Sequence, residues 1–166
     1  MKRETPMNHE LAMYPEDKRE MYELLYKQLQ ALMEGEESLL PHLCNAAALI
    51  YGALKDINWA GFYLMVDGEL VLGPFQGKPA CNRIEIGKGV CGTAVATGQP
   101  QVIINVLELE NHIACDSASR SELVIPIYKE GTIFGVLDID SPSFGRFGDL
   151  EKASMVELVR LLETSL

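Results

Sequence analysis

Three of the four cysteines lie where a thiol can work rather than pack. Cys81 falls in Lys78-Pro79-Ala80-Cys81-Asn82-Arg83, a turn ahead of a strand, and Cys115 falls in the polar stretch His112-Ile113-Ala114-Cys115-Asp116. Cys91 sits in Gly89-Val90-Cys91-Gly92, at the start of a short helix. A helix N-terminus lowers a thiol pKa, and the adjoining glycines allow close backbone approach. Thiols placed this way suit redox chemistry on a small molecule. Cys44 falls in an apolar helical pattern and reads as a small core thiol. Zinc is the competing use, with Cys81, Cys91, His112 and Cys115 as ligands. No C-x-x-C pair occurs and the spacings match no common zinc module, so no metal is expected.

Acidic residues form the second group. In the run Gly135-Val136-Leu137-Asp138-Ile139-Asp140-Ser141, strand alternation puts Asp138 and Asp140 on one face and Leu137 and Ile139 on the other. Glu122 begins the preceding strand-like run. If the apolar faces of the two runs match, Glu122 joins the aspartates, and a three-residue loop over 129–131 places it opposite Asp138. A two-residue loop breaks that register. Carboxylates gathered on a buried face repel one another, and at least one must take up a proton. Such a group binds an ammonium ion and can also deliver a proton. Trp59 and Tyr63 share a strand face and supply an apolar wall, with Gly61 leaving open space between them.

The elements that position these residues follow from periodicity. Residues 15–33 read as an amphipathic helix, with Pro15 in its first turn and Gly35 at its stop. A second helix runs over 38–54, with Ser38 as its cap. Strands over 57–66 and 69–75 flank Asp67-Gly68, a hairpin turn that tolerates positive φ at both positions. A short strand over 83–86, a short helix over 90–97 and a strand over 101–105 come next. Residues 106–121 form a polar loop of functional length. The last hairpin spans 122–128 and 132–140, and a final helix covers 149–163 with Leu150, Ala153, Val156, Val159 and Leu162 inward. Helices on one side of an antiparallel sheet make the class α+β.

Composition bounds the rest. A chain of 166 residues with 48% hydrophobic residues suits one globular domain over 15–166. Residues 1–14 are expected to be a poorly ordered extension. The net charge of −10 disfavours nucleic acid as a partner. No apolar run is long enough to span a membrane and no leader of signal-peptide type precedes the domain, which points to the cytoplasm and to thiols kept reduced. A P-loop, a dinucleotide fingerprint and a nucleophile elbow are all absent, so no cofactor is expected.

Taken together, Asp56-Ile57-Asn58-Trp59-Ala60-Gly61-Phe62-Tyr63, Leu72-Gly73-Pro74-Phe75-Gln76-Gly77, the Cys91 and Cys115 stretches and the Asp138–Asp140 run resemble the free methionine-(R)-sulfoxide reductases, stand-alone GAF-domain proteins. The resemblance implies a six-stranded antiparallel sheet with flanking helices, paired as a homodimer. It implies reduction of free L-methionine (R)-sulfoxide, with thioredoxin restoring the enzyme. By position, Cys115 corresponds to the catalytic cysteine, Cys81 to the resolving one and Cys91 to a third, and whether Cys81 or Cys91 pairs first with Cys115 stays open. Glu122, Asp138 and Asp140 correspond to the acidic substrate-binding group, with Glu122 and Asp140 also in catalysis, and Trp59 and Tyr63 to the aromatic wall. The segment Leu107-Glu108-Leu109-Glu110-Asn111 departs from the family pattern, where an aromatic and a glycine are expected. The carboxylates and Asp116 should raise the Cys115 pKa, with His112 and Arg120 as the available offsets.

Overall fold

The computed structural model describes residues 13–110, 113 and 115–166. Helices α1 (Lys18–Met33) and α2 (Leu39–Ala53) lead into β1 (Trp59–Val66), β2 (Glu69–Gly77) and β3 (Arg83–Ile84). Helix α3 (Gly89–Thr97), β4 (Gln101–Ile103), a 3₁₀ turn at Val106–Glu108, β5 (Ser121–Lys129), β6 (Thr132–Ser141) and α4 (Asp149–Glu163) complete the chain. The six strands form one antiparallel sheet in the order β3-β2-β1-β6-β5-β4. The α+β class and the strand count expected from the sequence both hold. Most of the expected 1–14 extension lies outside the described residues. Tyr14, at its end, donates its hydroxyl to Gln28 Oε1 on α1.

Helices α1, α2 and α4 cover one face of the sheet. Leu25 and Leu29 from α1, Ala46 and Ile50 from α2, and Leu158 and Leu162 from α4 pack on Leu123, Ile125, Leu137 and Ile139. The helices are cut as their sequences dictate. Asp17, rather than Pro15, ends the approach to α1, and its carboxylate accepts from the N–H groups of Arg19 and Glu20. The inward stripe of α4 is Glu151, Met155, Leu158, Val159 and Leu162; Val159 and Leu162 lie inward as expected, Leu150 and Val156 are only partly buried, and Ala153 is exposed. Glu151 is tolerated inside because Lys18 and Arg146 pair with it at 2.8 and 3.3 Å.

Three expectations need correction. Helix α3 packs on the opposite face, with Val90, Cys91 and Ala94 against Val124 and Val136, so the helices do not all lie on one side. Cys44 is exposed on α2; the buried stripe passes through Leu43, Ala46 and Ala47 and leaves position 44 outside. The β5–β6 loop is a two-residue turn, with Glu130 at φ 49° and Gly131 at φ 79°. By itself that turn would put Glu122 on the wrong face. A bulge at Phe134 inserts one residue, so Tyr128 faces Ile133 while Ile127 faces Gly135. Glu122 therefore lies opposite Asp140, and Asp138 opposite Val124. The bulge also sends Phe134 to the face of the three helices.

Candidate active site

The pocket opens on the α3 face. Strand alternation delivers Trp59 and Tyr63 from β1, Glu122 from β5, and Asp138 and Asp140 from β6 to one cavity. Cys91 closes it from α3, and Cys115, Asp116 and Ser119 close it from the loop before β5. Cys81 meets Cys115 at the rim in a disulfide, with their Cα atoms 5.5 Å apart. The structure thus brings together Trp59, Tyr63, Cys81, Cys91, Cys115, Glu122, Asp138 and Asp140, while His112 lies outside the described residues. Arg120 is turned away, and its guanidinium donates to the carbonyls of Ser117 and Ser119. Cys81 and Cys115, two of the four residues weighed as zinc ligands, are joined to each other.

The wall is built by stacking. Trp59 lies between Tyr63 and Phe75, with ring centroids 5.9 and 5.3 Å away. Its indole N–H donates to the carbonyl of Lys78, and the Tyr63 hydroxyl donates to the carbonyl of Cys81 at 2.9 Å. Two aromatic side chains of β1 therefore hold the backbone that carries Cys81. The space at Gly61 is filled rather than open: a Cβ there would stand 2.3 Å from that of Phe75. Gly92 has a similar role, since a Cβ would stand 2.4 Å from the Glu85 carbonyl where α3 meets the preceding turn.

The floor is acidic and largely buried. Glu122 and Asp138 are buried, and Asp140 is half-buried at the rim. Among the described residues none of the three forms an ion pair. Burial, reinforced by Asp138 and Asp140, pushes the Glu122 carboxyl well above the carboxylate range. Burial also raises Asp140, further raised by Asp138 and opposed by a hydrogen bond from Ser119. Asp138 is raised by burial to about 7, against hydrogen bonds from Cys91 and Glu122 that favour its charged form. These shifts favour the neutral form of Glu122 beside Asp138. The Cys91 thiol, raised by burial and by the three carboxylates, stays protonated. Chemically this is a proton source beside an anionic floor that lacks a counter-charge.

Sequence reasoning missed the support for the Cys115 loop. Asn58 donates to Asp116 Oδ2 at 3.0 Å and to Ser119 Oγ at 3.2 Å. Asp116 also accepts from the Ala118 N–H, which holds its carboxyl below the usual range. Asn58 stands one residue before the wall tryptophan, and its place in that motif was the available signal. With the disulfide closed, the cavity has a volume of about 30 Å³. That is space for water and far less than an amino acid needs.

A GAF domain family model matches residues 27–166. The free methionine-R-sulfoxide reductase of Escherichia coli is 55% identical over 147 residues, with 89% of each chain covered. The chain belongs to the free methionine-R-sulfoxide reductase family of GAF-domain proteins. Solved structures of the family agree. The reduced fRMsr of Staphylococcus aureus superposes with a TM-score of 0.85 at 50% identity, covering 87% of this chain and 94% of that one. The Neisseria meningitidis enzyme in complex with its substrate gives a TM-score of 0.90 at 39% identity, covering 95% of both chains. Among the described residues no helix is long and apolar enough to cross a membrane.

Proposed function

We propose that this protein reduces free L-methionine (R)-sulfoxide to L-methionine, with Cys115 as nucleophile and Cys81 as resolving thiol. The observation that carries the reading is the Cys81–Cys115 pair at the rim of a pocket floored by Glu122, Asp138 and Asp140 and walled by Trp59 and Tyr63. The names of the relatives supply the epimer and the free amino acid as substrate.

The chemistry follows from the groups present. The substrate ammonium binds the anionic floor and supplies its missing counter-charge. The S-methyl group lies against Trp59. The Cys115 thiolate attacks the sulfoxide sulfur, and its formation depends on that same ammonium neutralising the nearby carboxylates. Sulfoxide oxygen is a poor leaving group until protonated, and the neutral carboxyl of Glu122, backed by Asp140, provides the proton. Methionine departs with two electrons from the thiol, and Cys115 becomes a sulfenic acid. The Cys81 thiol attacks that sulfur, water leaves, and the disulfide forms. Cys91 remains a thiol. Thioredoxin, a dithiol, reduces the disulfide by exchange and reopens the pocket. A homodimer acting in the cytoplasm completes the reading, supported by the family resemblance.

The deciding experiment supplies the R and S sulfoxides separately, with thioredoxin, its reductase and NADPH, to the wild-type protein and to Cys115→Ser. Turnover of the R epimer alone, abolished by the substitution, is expected. Turnover of neither epimer, or activity surviving in Cys115→Ser, would sink the proposal.

A further inference from the structure

Cys91 is a buried thiol left unused by the reaction proposed above, and its surroundings are unusual. Its Sγ and one oxygen each from Glu122 and Asp138 all lie within 4.8 Å of one another, and all three residues are buried. The Cys91 Sγ stands 4.0 Å from Glu122 Oε1. Asp138 Oδ1 has no hydrogen-bond partner, although the residue is only 6% exposed. A buried carboxylate oxygen without a donor is costly, and it indicates a missing positive partner.

An ammonium ion is one such partner, but the closed form has no room for the amino acid that would carry it. The cavity beside the cluster, about 30 Å³, holds a single ion and its water. The donor set then decides which ion. One thiolate and two carboxylates suit a borderline-soft divalent metal in tetrahedral geometry. Calcium and magnesium prefer six or more oxygens and are poorly served by sulfur. Metal–sulfur and metal–oxygen bonds of zinc length put the two ligand atoms about 3.6 Å apart, so the 4.0 Å gap needs only a small closure.

We propose that, while the Cys81–Cys115 disulfide is closed, Cys91, Glu122 and Asp138 bind one thiophilic divalent cation of the zinc class. A water from the cavity is the fourth ligand. The cation takes the place of the thiol proton and of the proton shared by the carboxyls, which pass to solvent, and no electrons move. On the reductase reading, which this consequence rests on, the cation occupies the ammonium site and delays return of the oxidised enzyme to turnover.

The test uses Cys44→Ser protein with the disulfide intact, so that Cys91 is the one free thiol. Titration with Co²⁺ is expected to give, at one equivalent, the near-ultraviolet band of a cobalt thiolate with tetrahedral visible bands, and Zn²⁺ should displace both. Adding Cys91→Ser should abolish the ultraviolet band. Adding Asp138→Asn should keep it but weaken binding by at least about tenfold, the lower end of what even an outer partner of a metal ligand contributes. No thiolate band in the Cys44→Ser protein, a band that survives Cys91→Ser, or unchanged affinity in Asp138→Asn would each overturn the proposal. Sulfoxide is absent throughout, so the outcome is separate from the reductase assay, which is run on metal-free protein.

Discussion

On one face of the sheet, Leu123, Ile125, Leu137 and Ile139 meet three helices in an apolar layer. On the other, alternate residues of the same two strands, Glu122, Asp138 and Asp140, line a pocket under one nine-residue helix and the cysteine loops. The difference is one of position rather than of segment. A step of one residue along β5 or β6 crosses from stabilising side chains to reacting ones. Burial of the apolar face contributes about 25 cal/mol per Å² removed from water. The acidic face opposes folding, because its carboxyls are desolvated and have no counter-ion. The first face therefore sustains a second one that folding alone would not select.

If that division is right, substitutions on the two faces should separate activity from stability. The largest effect belongs to the acidic face. Glu122→Gln keeps the shape and removes the acid, so kcat/KM for the free sulfoxide should fall about 100- to 10,000-fold. Thermal unfolding at pH 8 should occur no lower than in the wild type. A variant that loses stability and keeps its rate would reverse the assignment of the two faces.

Next in size is the reverse experiment. Leu29 is fully buried on α1, away from the pocket. Leu29→Ala should lower unfolding free energy by about 2–5 kcal/mol in denaturant titration. At a temperature where the protein remains folded, kcat/KM should change by no more than a few-fold.

How much of this division could be read from the chain depends on the residue. Alternation around Leu137-Asp138-Ile139-Asp140 assigned both faces of β6 correctly, since a period of two survives any register. The partner of each residue was not legible. It depends on a turn and a bulge that compensate, and Phe134 carries no local mark of a bulge. Cys81, Cys91 and Cys115 were recognisable as a working group from their polar, glycine-flanked settings. Their convergence needed the tertiary fold, because α3 and the loop before β5 reach the sheet from different sides of β4. Cys44 was misplaced for a simple reason. Helix α2 is apolar almost all round, so its pattern did not say which side faces out.

The third prediction sharpens the comparison through pH. Asp138 holds its proton up to about 7 in the folded chain, chiefly because it is buried. The unfolded chain releases that proton near 4. Between those limits the native state binds more protons, so stability falls as pH rises across the window and levels off above it. Asp138→Asn removes this contribution. Chemical denaturation at pH 5 and pH 8 should show a smaller loss of stability in the variant, by on the order of 2–3 kcal/mol at a displacement of about 1.4 kcal/mol per pH unit. Wild type and variant with equal slopes would mean that the floor is charged and compensated, and that the acidic face does not oppose folding.

The smallest effect tests whether the two faces also treat their helices differently. Helix α1 is closed by the Asp17 carboxylate, 2.9 and 3.0 Å from the N–H groups it accepts. Helix α3, over the pocket, begins at Lys88 with no side chain capping its first turn. A cap is worth about 1 kcal/mol, so Asp17→Ala should lower stability by that amount and leave kcat/KM unaltered. Placing the same chemistry on α3 with Lys88→Asn should not repeat this in reverse. The new side chain should add about 0.5–1 kcal/mol to the helix. But Lys88 is the one lysine or arginine among the described pocket-lining residues, and its loss makes the rim of the pocket more negative. Folding would gain slightly while the pH at which turnover begins moves upward. A Lys88→Asn enzyme with an unshifted pH–rate profile would show that the rim charge does not reach the nucleophile, and would confine the electrostatics of the site to Glu122, Asp138 and Asp140.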